Sequence, residues 1–275
     1  MSTELLKVKS IKSNSFGGKA DNLELLKVIG LPVPAFKVIT YKQLINVLTH
    51  DQLSAIENLI NKKTFTRADQ QQFEELIKQV NLHSILDDEE IKQFLNNQER
   101  YAVRSSNSLE DGTTASWAGI FESALNVKTH DILEAVRKCW CSTYTESSFL
   151  YCSMLQKKPF IELRTNIIVQ RMVNAHVAGV IFSRNPADSN DERALVEYVA
   201  GTAEVLVSGH VNPDRLFVDK DQFDRIEDTN FPLDKLINGL LLAEHKLNCD
   251  VDIEWAWDGS TLYFLQVRPV TAQSN

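Results

Sequence analysis

Residues 250–270 read DVDIEWAWDGSTLYFLQVRPV, two alternating runs on either side of a turn that contains glycine. Successive side chains of a β-strand point to opposite faces. Asp252 and Glu254 therefore share one face of the first run, and Gln266 and Arg268 share one face of the second. The apolar faces are formed by Val251, Ile253, Trp255 and Trp257 in the first run and by Tyr263, Leu265 and Val267 in the second. The pattern predicts an antiparallel hairpin with one polar side.

The number of residues in the turn decides whether the two polar sets share a face. Asp258-Gly259-Ser260 fits a three-residue loop, and an odd number of turn residues puts Glu254, Gln266 and Arg268 on the same side. A two-residue Asp-Gly loop would separate them. We predict the three-residue loop, and hence a sheet face that presents an acid, an amide and a guanidinium together.

This polar face has the chemistry of a metal and phosphate site. The oxygens of Glu254 and Gln266 are hard ligands of the kind that Mg²⁺ binds, and Mg²⁺ takes its remaining ligands from water and from substrate phosphates. Arg268 could stabilise the charge on a phosphoryl group during transfer. An ordinary solvent-facing strand with an internal salt bridge would give the same pattern, and the hairpin alone leaves both interpretations open.

Two further segments could contact phosphate. The segment SFGGKADNLELLKVIG contains Lys19 after two glycines, but it does not match the G-x-x-x-x-G-K-[ST] loop, and a plain turn is the alternative. A helix is predicted after it from about Ala20 to Ile29, with Gly30 as its C-terminal cap.

The second segment, RSSNSLEDGTTASWAGIFES at residues 104–123, follows the apolar residues YAV. Arg104 could bind phosphate with its guanidinium fork, or a structural carboxylate equally well. The small residues after it could bring backbone N–H groups close to a ligand. We predict a mobile lid loop over residues 105–123, although any surface loop could look similar.

Composition excludes several classes of function. The 275 residues carry a formal charge of −8, which argues against broad binding to nucleic acid or to an anionic membrane surface. No apolar run approaches the ~20 residues that a membrane span needs, and the N-terminus lacks the apolar core of a signal peptide, so we expect a cytoplasmic protein. The cysteines form no CxxC pair and the histidines have no metal-ligand spacing. No Ser/His/Asp or Cys/His arrangement is present.

The order of elements predicts an α+β fold with two lobes. Residues 41–100 have a helical pattern, whereas the chain after Arg164 consists mainly of short strands. We expect a first lobe at residues 1–165, which includes the helix-rich insertion 41–100, and a strand-rich second lobe at residues 166–275. A ligand cleft between them is the natural expectation.

Several segments together resemble a known family. GGKADNLELL, AVRSSNSLEDGTTASWAGIFESALNV, VQRMVNAHVAGVIFSRNP, GHVNPDRL and DIEWAWDGSTLYFLQVRPV occur in the order found in the ATP-grasp nucleotide-binding domain of phosphoenolpyruvate synthase, pyruvate phosphate dikinase and rifampicin phosphotransferase. The resemblance extends over nearly the whole chain. It implies an ATP-grasp fold with ATP between the two lobes.

The resemblance also implies roles for individual residues. Lys19 and Arg104 would contact the phosphates of ATP, and Glu254 and Gln266 would hold Mg²⁺. Arg268 would lie at the phosphoryl group in flight. The remaining nucleotide contacts would be Ala118, Gly119 and Ile120 in the lid, Gln170, Met172 and Val173 around the adenine, and Glu204 near the ribose or phosphates.

Departures from the family leave the acceptor open. Residues 201–204 read GTAE instead of Gly-Leu-Gly-Glu, and Ser147 and Cys152 stand where the family has arginines. Full-length relatives continue into a domain with a phosphorylated histidine. Either the sequence is one domain of a longer protein, or a separate polypeptide supplies the histidine, or the domain phosphorylates a small molecule directly. We expect a phosphotransferase that acts on a histidine-carrier protein or on a small molecule. The alternatives are an ATP-binding regulatory subunit and an ATP-grasp ligase that forms an acyl-phosphate.

Overall fold

The computed structural model of the chain describes residues 16–96, 99–107, 123–154, 163–188, 190–201, 212–223 and 229–270. The chain forms two compact units. The first unit contains Met1–Ala20 and Ala35–Met172, and the second contains Asp21–Pro34 and Val173–Asn275. No helix in the described part of the chain is long and apolar enough to cross a membrane.

The first helix, α1, runs from Gly18 to Val28 and ends as its sequence predicts. Gly30 adopts a φ of +89°, and its N–H donates to the carbonyl of Lys27 at 3.1 Å. The N–H of Leu31 donates to the carbonyl of Leu26 at 3.0 Å. These two bonds form the Schellman motif, which favours glycine at this position.

The first unit contains a four-stranded antiparallel sheet in the order β1-β4-β2-β3. Its strands are β1 (Phe36–Ile39), β2 (Arg100–Asn107), β3 (Ser123–Lys128) and β4 (Thr165–Arg171). One face of the sheet packs into an apolar core that includes Tyr101, Val103, Ile167 and Val169.

Helices surround this core. They are α2 (Tyr41–Asn46), α3 (His50–Ile60), α4 (Arg67–Lys78), α5 (Glu89–Phe94), α6 (Ile132–Cys141) and α7 (Glu146–Met154), with 3₁₀ turns at His83–Ile85 and Thr129–Asp131. Capping boxes that the sequence encodes begin three of them, since Thr40, Thr49 and Thr66 each exchange hydrogen bonds with the residue three positions later.

The second unit contains a five-stranded antiparallel sheet in the order β7-β6-β5-β8-β9. Its strands are β5 (Val177–Phe182), β6 (Ala194–Ala200), β7 (Asp214–Val218), β8 (Val251–Trp257) and β9 (Leu262–Pro269). Helix α8 (Leu233–Leu247) covers the apolar face of the sheet. A Cβ atom at Gly239 would lie 2.2 Å from the ring of Phe264, so this glycine permits the close packing of α8 on β9. The two sheets with their helices confirm the α+β class.

The division between the units falls close to the predicted boundary near residue 165, but an early segment of the chain belongs to the second unit. Strand β4 belongs to the first unit, which ends at Met172, because β4 pairs with both β1 and β2. Residues 21–34 belong to the second unit because Leu26 lies in its core and the N–H of Phe264 donates to the carbonyl of Pro32 at 2.8 Å. Such contacts distant in sequence cannot be read from local composition.

The hairpin forms as predicted, but its turn does not. Trp257 pairs with Leu262, so the turn contains four residues, Asp258–Thr261, and the predicted three-residue loop is wrong. A β-bulge farther along the hairpin then returns the polar side chains of the two strands to the same face. Glu254 lies opposite Gln266 while Trp255 lies opposite Phe264, so Leu265 is the extra residue.

The bulge also changes which residues of β9 enter the core. Leu262, Phe264 and Val267 face the apolar core of the second unit, in place of the predicted set of Tyr263, Leu265 and Val267. An even turn and one extra residue thus have the same effect as the predicted odd turn. Glu254 and Gln266 still share a face.

Candidate functional site

One face of the first sheet carries two of the predicted site residues. Arg104 lies opposite Ile168, and Ala102 lies opposite Gln170. Because these positions alternate with the core residues Tyr101 and Val103, Arg104 and Gln170 lie on the face turned away from that core. Strand β2 continues beyond Arg104 to Asn107, so Ser105–Asn107, the first residues of the predicted lid loop, are buried strand residues.

Gln170 has an unsatisfied amide on this face. Its side chain is only 3% exposed, and within the described residues its Nε2 atom has no hydrogen-bond partner. A buried amide without a partner costs about 1–3 kcal/mol, so such groups indicate a missing ligand or water. Gln170 is one of the predicted adenine contacts.

The Gly-Gly-Lys segment packs directly on the end of β2. Gly17 adopts a φ of +91°, and a Cβ atom there would lie 2.6 Å from the backbone N of Asn107. The N–H of Ala20 donates to Oγ of Ser106 at 3.0 Å, and Nζ of Lys19 donates to the carbonyl of Ser105 at 3.4 Å. The two predicted phosphate segments of the first unit, Gly17–Lys19 and the strand that carries Arg104, are therefore neighbours.

The position of Lys19 is electrostatically unusual. It lies in the first turn of α1, although a cation is unfavourable at this positive end of the helix dipole. The first turn also contains Asp21, which suits the dipole. Lys19 is only 9% exposed, so both the ammonium and the helix terminus would gain from a bound anion.

The second unit presents the predicted acid, amide and guanidinium on one face of its sheet. Glu254 on β8 lies opposite Gln266 on β9, and Asp252 lies opposite Arg268. Nη2 of Arg268 donates to Oε1 of Glu254 at 2.8 Å. The three side chains that the sequence predicted to share a face therefore do so.

Gln266 is the most unusual residue of this face. It is only 1% exposed, and within the described part of the chain neither its Oε1 nor its Nε2 has a hydrogen-bond partner. Its amide oxygen lies on the strand next to Glu254, and opposite residues on paired strands are about 4.5–5.5 Å apart at Cα. A carboxylate and an unsatisfied amide oxygen side by side are a suitable pair of ligands for Mg²⁺.

The alternating pattern contained more of this site than the sequence prediction used. Asp252 shares the face of Glu254 and lies opposite both Arg268 and Phe182, yet it was assigned no role. The alternation of Asp252 with the apolar Ile253 was the sequence signal that could have placed it in the site.

A second charged pair extends the same face across the sheet. Glu197 on β6 lies opposite Val180, which in turn lies opposite Glu254. Nε of Arg215 donates to Oε1 of Glu197 at 2.8 Å. The alternation in ALVEYVA could have placed Glu197 on this face.

The other predicted contacts are only partly described. Met172 and Val173 are half-buried, and Met172 closes the first unit while Val173 opens the second part of the second unit. The N–H of Met172 donates to the carbonyl of Arg100 at 2.8 Å. The contacts predicted for Ala118, Gly119, Ile120 and Glu204 lie outside the described residues, as does most of the predicted lid loop.

The cysteines take no part in these faces. All four are free thiols. Burial raises the pKa of Cys141 to about 12 and that of Cys152 to about 11, so both thiols stay protonated and unreactive at neutral pH.

The sequence of the chain matches the family described as "Pyruvate phosphate dikinase, AMP/ATP-binding domain" over residues 13–235. The chain belongs to this family. The matched region contains Lys19, Arg104 and Gln170, whereas the hairpin with Glu254 and Gln266 lies beyond it. The predicted family resemblance is confirmed by a match that does not depend on the hairpin.

Curated relatives agree with this assignment. The chain is 33% identical to the uncharacterized phosphotransferase YvkC of Bacillus subtilis, over 76% of this chain and 24% of that protein. It is 32% identical to a probable phosphoenolpyruvate synthase of Archaeoglobus fulgidus, over 62% and 27%, and 27% identical to a rifampicin phosphotransferase of Bacillus cereus, over 93% and 34%. The chain thus spans about a quarter to a third of the length of these relatives.

Solved structures show a weaker likeness. D-alanine–D-alanine ligase of Helicobacter pylori superposes with a TM-score of 0.43 at 7% identity, over 92% of this chain and 53% of the ligase. An L-amino acid ligase of Bacillus licheniformis gives 0.43 at 12% identity, over 94% and 44%. The family assignment rests on the sequence match.

Proposed function

We propose that the chain binds Mg-ATP and acts as an ATP-dependent phosphotransferase. The observation that carries the proposal is the buried, unsatisfied amide of Gln266 beside the Glu254–Arg268 ion pair, in a chain of an AMP/ATP-binding family. An ordinary solvent-facing strand would not bury an amide and leave both of its polar atoms without partners.

The first unit supplies phosphate contacts in this proposal. Lys19 is held at the N-terminus of α1 by the end of β2, where an anion would offset the unfavourable position of its charge. Arg104 lies on the same strand, β2, on the face turned away from the apolar core, and offers a guanidinium fork to a second phosphate oxygen. Gln170, on the same face, would use its unsatisfied amide N–H to bind the adenine.

The second unit supplies the metal ligands and a further cation. Glu254 and Gln266 would hold Mg²⁺ through a carboxylate and an amide oxygen. A metal ion held by these two residues would neutralise negative charge on the phosphates of the nucleotide. Arg268 donates to the phosphoryl group as its charge develops, so catalysis consists of positioning and charge stabilisation and requires no nucleophilic side chain.

The acceptor is the finer part of the proposal. In this proposal, which follows the family resemblance of the sequence, a phosphoryl or pyrophosphoryl group passes to a histidine on a carrier protein or to a small molecule. An ATP-binding regulatory subunit is the second candidate, and a ligase that forms an acyl-phosphate is the third.

Nucleotide products distinguish these functions. Purified protein is incubated with Mg-ATP, with and without a desalted cell extract as the source of acceptor, and AMP and ADP are separated by anion exchange. We expect consumption of ATP above the level of the extract alone, and at least a hundredfold less in Arg268→Ala, because a charge that stabilises the transition state is lost. Arg184→Ala breaks a different ion pair in the same unit and serves as the matched control.

The nature of the product then identifies the reaction. AMP indicates pyrophosphoryl cleavage and ADP indicates a simple kinase. Tight binding of Mg-ATP without turnover would show that the chain is an ATP-binding regulatory subunit and not an enzyme. Turnover unchanged in Arg268→Ala would contradict the proposed mechanism.

A further inference from the structure

The ion pair between Arg268 and Glu254 engages the same carboxylate that is proposed to bind the metal. Nη2 of Arg268 lies 2.8 Å from Oε1 of Glu254. The Glu254 side chain is only 13% exposed, so its charge requires a partner, whereas Arg268 is 36% exposed and can turn toward solvent or a ligand. A guanidinium and a divalent cation therefore compete for one carboxylate.

Gln266 shows that this arrangement leaves the face incomplete. The amide of Gln266 lies on the strand beside Glu254. Arg268 does not donate to this amide, because Oε1 of Gln266 has no donor within the described residues. The ion pair thus supplies the carboxylate with a cation but does not supply the amide oxygen with one. Only a ligand that reaches both oxygens satisfies the carboxylate and the amide oxygen together.

We propose that Arg268 forms an ion pair with Glu254 in the nucleotide-free protein. Arg268 must exchange this carboxylate for the phosphates of the nucleotide before Glu254 binds the metal. The inference rests on the proposed function and adds a regulation of the same site. Metal alone binds weakly because it has to displace the guanidinium. Metal with nucleotide binds tightly because the phosphates give Arg268 a new anionic partner.

The energetic basis is that the carboxylate has a cation in both states. Removing one partner from a buried ion pair is costly, but exchanging the guanidinium for a divalent ion leaves no charge unpaired. Arg268 in turn exchanges one carboxylate oxygen for a phosphate that its fork can bind through two N–H groups. Coupling between two ligands is reciprocal and commonly amounts to about 5–150-fold in affinity.

The test measures metal affinity without turnover. Mn²⁺ serves as the probe, and free Mn²⁺ is quantified by electron paramagnetic resonance in titrations with and without a non-hydrolysable ATP analogue. In the wild type we expect weak binding of Mn²⁺ alone and a large increase in affinity with the nucleotide. In Arg268→Ala we expect Mn²⁺ alone to bind about tenfold more tightly, and the increase caused by nucleotide to shrink by a similar factor.

Three further variants exclude simpler explanations. Arg184→Ala removes the same charge from the same unit by breaking the 2.7 Å pair with Asp250, and Mn²⁺ affinity should not change. Arg268→Gln should reproduce the gain seen in Arg268→Ala, which guards against a folding defect in either variant. Adding Glu254→Gln to Arg268→Ala should abolish the gain.

The outcomes separate the inference from the proposed function. If Arg268→Ala and Arg268→Gln both bind Mn²⁺ alone no more tightly than the wild type, the inference is overturned even where Mg-ATP binding is intact. If the wild type binds no nucleotide, the proposed function fails, while the affinity for Mn²⁺ alone still decides whether Arg268 competes with the metal.

Discussion

Gln266 is the residue at which stability and function oppose each other. A buried amide without hydrogen bonds lowers the free energy of unfolding, and natural chains keep such groups where a ligand satisfies them. The alternation in residues 250–270 placed Gln266 and Glu254 on the polar faces of their strands, but their shared face was predicted from a three-residue turn, and the structure reaches it through a four-residue turn and a bulge. The near-complete burial of Gln266 was not predictable, because exposure depends on neighbours that are distant in sequence.

Lys19 provides a prediction at the same scale. Lys19→Met should lower the affinity for ATP by about tenfold to a hundredfold, since a hydrogen bond to a charged group contributes about 1.5–3 kcal/mol. Affinity for AMP should fall less, because AMP has fewer phosphates. Calorimetric titration with both nucleotides measures the difference.

A matched control lies on the same helix. Lys27 is in the last turn of α1 and forms an exposed ion pair with Glu24, so Lys27→Met should leave both affinities unchanged. Equal losses of ATP and AMP affinity in Lys19→Met would show that the lysine supports the fold and does not contact phosphate.

At the scale of elements, the contact between the start of α1 and the end of β2 positions the lysine. Gly17 approaches the backbone of Asn107 so closely that no side chain fits, and Ser106 accepts the hydrogen bond from the first turn. The sequence predicted a turn at the glycines, the helix that follows them and the cap of that helix at Gly30. It could not predict that the glycines pack on the strand of Arg104, because 86 residues separate Lys19 from Ser105.

Gly17→Ala tests this contact. We expect a loss of about 1–2 kcal/mol for the left-handed backbone and a further ~1–3 kcal/mol for the clash with β2, together with weaker ATP binding as Lys19 moves. Gly30→Ala is the control, because Gly30 has nearly the same φ but open space around its Cβ position. Gly30→Ala should lose only the stability that the left-handed backbone costs, and it should bind ATP as the wild type does. Similar losses of ATP affinity in both variants would contradict the positioning role.

The hairpin gives a second lesson about elements. Its strands were predictable from a period of two, whereas the turn length and the bulge, which together put the polar residues on one face, were not. The four-residue turn puts the side chains of β9 on the opposite faces from those that a three-residue loop would give. The extra residue at Leu265 then returns Gln266 to the face of Glu254. Asp258 stabilises that turn by accepting the N–H groups of Thr261 and Ser260, which lowers the pKa of its carboxyl group. Local sequence did not distinguish this solution from a three-residue loop with regular pairing.

At the scale of the whole molecule, composition predicted two units but not their membership. The strand-rich region follows the helix-rich region as expected, yet residues 21–34 join the second unit. That assignment depends on tertiary contacts such as the bond from Phe264 to Pro32. The family match was predictable, because it depends on motifs that are contiguous in sequence.

The most direct test of the account is to replace Gln266 by leucine and to measure both unfolding and ligand binding. Chemical denaturation should show that Gln266→Leu is more stable than the wild type by about 1–3 kcal/mol, since an unsatisfied buried amide is replaced by an apolar group of similar size. Calorimetry should show at least tenfold weaker binding of Mg-ATP, because a metal ligand is lost. Gln222→Leu, at an exposed position of the same unit, should change neither quantity appreciably. A Gln266→Leu protein that binds Mg-ATP as tightly as the wild type would contradict the central claim that this amide belongs to the nucleotide site.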